Sequence, residues 1–109
     1  MLFRSAGLAG APAQAVRLRL AQWEKRLARW EAARSLWEAA VRHATFDPRP
    51  WEELAKFHEH RRRDAGAAHA IVTRALGLAA AARASSKVVE ALAYRLRRLD
   101  RRLGGSPAP

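Results

Sequence analysis

Cysteine is absent from this sequence, so disulfides and thiolate metal sites are excluded. No unbroken apolar run is long enough to span a bilayer, and no membrane partner is expected. Acidic residues are scarce: 10 stand against 21 lysines and arginines, a formal net charge of +11. The few Ser and Thr residues fall at caps or loops, with no Ser–His–Asp order and no paired carboxylates on one helical face. No catalytic residue, cofactor or metal ligand is therefore assigned. The N-terminus lacks the apolar stretch of a signal peptide, and a soluble, bacterial-type cytoplasmic chain is expected.

Within 109 residues there is room for one domain. Half of the residues are hydrophobic, but many are alanine, which predicts a thin, close-packed core. The net charge would concentrate anions, nucleic acid or an acidic partner near the surface. Only Lys25, Lys56 and Lys87 are lysines; the arginine and alanine bias is what a GC-rich genome produces without selection for binding.

Residues 1–13 carry Gly7, Gly10 and Pro12 and no periodicity, and are expected to be disordered. Leu2-Phe3-Arg4-Ser5 is what a common sequencing adapter encodes when read through, an expectation that the true protein continues upstream. Residues 14–103 read as helices. Val16, Leu20, Trp23 and Leu27 form one helical stripe, and Ala33, Leu36, Trp37, Ala40 and Ala44 a second. Neither Gly nor Pro separates them, so a boundary near Arg29-Trp30 and one long helix are both open. Pro48 and Pro50 stop the chain and restart it, with Asp47 placed to cap and Pro48 at the first helical position.

Trp51, Leu54, Ala55 and His58 then share a helical spacing, as do Ala68, Ile71, Val72, Ala75 and Leu76. The polar run from Arg61 to Gly66 separates the two, ending on a helix-breaking glycine. The second helix fades over Ala80 to Ala84. Ser85 or Ser86 starts a last helix with the stripe Val89, Leu92, Leu96, Leu99 and Leu103, and residues 104–109 are a disordered tail.

Leu54-Ala55-Lys56-Phe57 repeats Leu20-Ala21-Gln22-Trp23 at an offset of 34 residues. Ala68, Val72 and Ala75 repeat Ala33, Trp37 and Ala40 at an offset of 35, so one residue is inserted in the second turn. Helix–turn–helix units of 34 residues have the tetratricopeptide period. The resemblance rests on Trp51, Leu54 and Ala55 as a Trp-x-x-Leu-Gly/Ala start, and on Ala68, Val72 and Ala75 as the second-helix pattern. Arg17 departs at the leading Trp position, and Ala28 stands where Gly is common. The expected architecture is all-α: a tetratricopeptide-like stack of two helical hairpins plus a C-terminal capping helix.

A second resemblance covers most of the chain. Glu53-Leu54-Ala55-Lys56-Phe57-His58-Glu59-His60-Arg61, followed by Asp64 and Ala68, resembles the C-terminal helical segment of bacterial ribonuclease-H-like proteins of the YprB group. So do Leu36-Trp37-Glu38-Ala39-Ala40 and Arg95-Leu96-Arg97-Arg98-Leu99. The resemblance implies an upstream DEDD-type exonuclease domain, whose site has no counterpart here. The expected partner is a protein or that upstream nuclease domain.

Three constellations invite function. His58, Glu59 and His60 hint at a metal, but residues two apart on a helix diverge, whereas helical zinc sites use a spacing of four. They read instead as a packing His58 and a His60 paired with Asp64; His43 and His69 look isolated. Trp23, Trp37 and Trp51 lie on apolar stripes and read as core rather than as a base-stacking platform, with Trp30 at the turn. Arg61, Arg62 and Arg63, with Arg95, Arg97, Arg98, Arg101 and Arg102, are the candidate nucleic-acid contacts; the rival reading is a solvated face. Without a base-reading motif, such binding would be independent of sequence.

Overall fold

A computed structural model describes residues 11–104, and among them every regular element is helical. The described residues form five helices, α1 (Ala11–Arg26), α2 (Trp30–Ala40), α3 (Pro48–Lys56), α4 (Ala65–Ala81) and α5 (Ser86–Gly104), with a π-helical turn, Phe57–Arg61, continuing α3. The chain divides into two units, Met1–Ala44 and Thr45–Pro109.

The first unit is an antiparallel hairpin of α1 and α2. Gln14 Nε2, near the start of α1, donates to the carbonyl of Ala40 at the end of α2, at 3.1 Å. The helices separate at Ala28, whose φ is 59°. The N–H of Ala28 donates to the carbonyl of Lys25 (2.9 Å), and that of Arg29 to Glu24 (2.8 Å). This is a Schellman closure with alanine at the left-handed position that glycine usually takes. The boundary therefore falls near Arg29-Trp30, and one long helix is excluded. Helix α1 also starts at Ala11, earlier than the sequence suggests; Pro12 in the first turn costs little, because that N–H would have no intrahelical acceptor. The rest of the expected disordered N-terminus and residues 105–109 of the expected tail lie outside the described residues.

The second unit opens at Asp47. Its carboxylate accepts from the N–H of Arg49 at 3.1 Å, and Pro48 follows in the first turn, as the sequence predicts. In the π-helical turn the N–H of Arg62 reaches the carbonyl of Phe57, five residues back, at 3.1 Å. A π-turn accommodates one extra residue in a helix. Ala28 lies seven residues after the buried Ala21, and Arg63, the left-handed residue of the second turn with φ 54°, lies eight after the buried Ala55. From each left-handed residue to the next buried alanine, Ala33 or Ala68, the distance is five residues. The inserted residue is thus absorbed in the π-turn and not in the connecting loop.

Gly66 is not the breaker. It sits inside the first turn of α4, and the helix starts because Asp64 accepts from the N–H of Ala67 at 2.9 Å. Nor does α4 fade: Arg83 (φ 57°) closes it with a second Schellman pair, Arg83 N–H to Ala80 (3.1 Å) and Ala84 N–H to Ala79 (2.9 Å). Ser85 Oγ then accepts from the N–H of Val88 at 3.3 Å and caps α5. Leu92 and Leu99 are the fully buried residues of α5, each contributing about 1.5–3 kcal/mol by burial.

The buried positions repeat. Ala21, Ala33, Trp37 and Ala40 in the first hairpin are no more than 2% exposed, and so are Ala55, Ala68, Val72 and Ala75 in the second. Small side chains at these positions let helix backbones approach closely. The register fails on α1. Leu54 and Phe57 are buried, but their counterparts Leu20 and Trp23 are 48% and 56% exposed.

Candidate functional site

Three arginines and a histidine of the second unit converge on Glu59. Its position continues the buried Trp51–Ala55 row at helical spacing, and its side chain is only 1% exposed. Arg95, Arg98 and Arg102 stand on one face of α5 at intervals of three and four residues. Arg98 Nη2 donates to Glu59 Oε1 at 2.6 Å, Arg102 Nη1 to Oε2 at 2.8 Å, and Arg95 Nη1 lies 3.6 Å from Oε1. His60 Nε2 is also 3.6 Å from Oε1. Burial pushes the Glu59 carboxyl up. Hydrogen bonds from Arg98 and Arg102, with the charges of Arg98 and His60, outweigh it and hold the group below its ordinary range.

This arrangement divides the eight candidate arginines. Arg95, Arg98 and Arg102 are held by a buried carboxylate, and their charge is partly spent inside the fold. Arg61, Arg62 and Arg63 are exposed around the end of the π-turn, and the Arg62 guanidinium lies 5.5 Å from the centroid of the Phe57 ring. Arg97 and Arg101 are exposed on α5 with no ion-pair partner among the described residues. The structure therefore leaves Arg61, Arg62, Arg63, Arg97 and Arg101 facing solvent.

The His58-Glu59-His60 triplet is split by its backbone. His58 packs edge-on against the Phe57 ring, with centroids 5.1 Å apart, Glu59 points inward and His60 is exposed. His60 lies beside Glu59 and not Asp64, whose carboxylate caps α4. His69 is not isolated: its Nε2 lies 2.7 Å from Asp100 Oδ1, tying α4 to α5.

A second surface lies on α1. The side of the helix that packs carries Gln14, Leu18 and Ala21, while Val16, Leu20, Trp23 and Leu27 are 47–56% exposed. Trp23 is therefore a surface residue, contrary to its reading as core, whereas Trp37 and Trp51 are buried. Apolar periodicity identified the stripe correctly but not the direction it faces. Ala21 permits a close approach and Gln14 finds an acceptor in Ala40, so the less apolar side is the one that packs.

Glu59 is not legible as a buried charge from its histidine neighbours alone. The available signal was an acid in an apolar helical row, together with arginines at 95, 98 and 102 on one helical face. No protein-family model matches this chain, and no curated protein or solved structure does.

Proposed function

We propose that this chain is a non-catalytic helical-repeat interaction module of tetratricopeptide type, the C-terminal part of a larger ribonuclease-H-like exonuclease protein. It would present its helical surface to a protein partner or to an upstream nuclease domain. The observation that carries the module reading is the repeated buried register, Ala33, Trp37 and Ala40 against Ala68, Val72 and Ala75. The parent protein is proposed on the three sequence segments of the YprB resemblance, and the bond between Glu59 and Arg98 joins two of them. Two experiments test the proposal. The sequence encoded immediately upstream of Ala6 should hold an in-frame domain with DEDD-type carboxylates; an unrelated reading frame there sinks the parentage. Metal-dependent nuclease activity from the isolated chain would sink the non-catalytic assignment.

A second reading, a stand-alone basic protein that holds nucleic acid without sequence specificity, is favoured by the exposed Arg61, Arg62, Arg63, Arg97 and Arg101. Its test is binding to random DNA or RNA across a salt series. Arg97→Glu/Arg101→Glu should weaken binding and flatten the salt slope. Both residues are exposed, so the effect is separable from the fold, which Arg98→Glu would disturb through Glu59.

A further inference from the structure

We infer that the outward face of α1 is a docking seam for an acidic amphipathic helix. The inference rests on the interaction-module reading and names the chemistry of one partner.

Val16, Leu20, Trp23 and Leu27 are spaced four, three and four residues apart and all lie outward. That spacing is the alternation of the two apolar positions of a coiled-coil heptad, a seam one helix wide. The equivalent pair in the second hairpin, Leu54 and Phe57, is buried, so the same repeat positions are covered there and open on α1. Four large apolar side chains in one continuous row differ from the singly scattered exposed apolar residues of ordinary surfaces.

The flanks state the charge of the occupant. In the heptad set by the seam, the positions beside it are Arg17 and Glu24 on one side and Arg19 and Arg26 on the other. Glu24 has Arg29 Nη1 3.6 Å from its carboxylate, so its charge is already partly met. Arg19 and Arg26 are exposed. A partner helix with glutamates at its own flanking positions would pair with these arginines while its leucines fill the seam. A second copy of the chain would bring three arginines and one glutamate against the same set, within a chain of net charge +11, and is disfavoured.

The test uses the full chain and a labelled synthetic helix of four heptads, with leucine at both seam positions and glutamate at both flanking positions. A counterpart carries lysine at the flanks. Fluorescence anisotropy should show the acidic helix binding at least tenfold tighter than the lysine helix, and more weakly as salt rises. Leu20→Glu/Trp23→Glu should weaken it at least tenfold with helicity unchanged by circular dichroism, since both residues are already exposed. Arg19→Glu/Arg26→Glu should reverse the preference to the lysine helix. Equal binding of the two helices, no binding, or binding untouched by Leu20→Glu/Trp23→Glu would overturn the inference. So would a wild-type dimer, or seam-dependent capture of phosphatidylserine vesicles in place of the acidic helix. Each of these failures leaves the module reading to be judged by its own upstream-sequence and nuclease tests.

Discussion

Arg98 donates to Glu59 at 2.6 Å across 39 residues of chain, and the acceptor is almost wholly withdrawn from solvent. A buried carboxylate with two guanidinium donors is well satisfied, but removing its charge leaves those donors facing a weaker acceptor. Glu59→Gln should therefore destabilise the chain by about 2 kcal/mol in urea unfolding. Arg102 is half-exposed, so Arg102→Gln should cost less than Arg98→Gln. An unchanged midpoint in Glu59→Gln would show that the cluster contributes nothing net.

The same cluster predicts the response to acid. Glu59 is held below its ordinary value near 4.5 by Arg98 and Arg102, despite burial acting the other way. A depressed carboxylate contributes stability above the unfolded-state value and loses it as pH falls through the folded one. Unfolding free energy should thus decline as pH drops below the mid-fours, and the decline should be shallower in Glu59→Gln. Parallel pH profiles for the two proteins would contradict this.

Backbone strain sits at the helix ends. Ala28, Arg63 and Arg83 adopt φ of 59°, 54° and 57°, a region that L side chains disfavour by about 1–2 kcal/mol. Ala28→Gly and Arg83→Gly should each raise stability by about 0.5–1 kcal/mol, the relief of strain exceeding the entropy lost to a freer unfolded chain. Gly77 presents the reverse case. It is exposed inside α4 with open space where a Cβ would lie, so Gly77→Ala should also stabilise, by about 1 kcal/mol. Thermal midpoints of the three variants should all rise; a fall in any of them contradicts its assignment.

Local chemistry made some of this fold readable in the sequence. Asp47-Pro48 and the Ser85 cap act through neighbours two or three residues away, and the repeat offset marks Trp37 and Val72 as equivalents that are indeed both buried. What escaped the reading is non-local or conformational. The chain leaves α1 through an alanine in a conformation that no residue type announces, and the inserted residue hides as a π-turn in a continuous helix. Glu59 finds its arginines only after α5 has packed. The outward direction of the α1 stripe depends on which side of the helix meets its neighbour, and a period of 3.6 residues says nothing of that.

Which side of α1 packs against α2 is tested most directly by comparing two tryptophans in equilibrium unfolding. Trp37 is 2% exposed and Trp23 56% exposed. Trp37→Ala should cost about 3–5 kcal/mol, the usual loss for emptying a large buried side chain, and Trp23→Ala no more than about 0.5 kcal/mol, as for an ordinary surface change. A Trp23→Ala penalty equal to that of Trp37→Ala would mean that the α1 stripe is core and not surface, and would contradict both the outward orientation of the stripe and the docking seam.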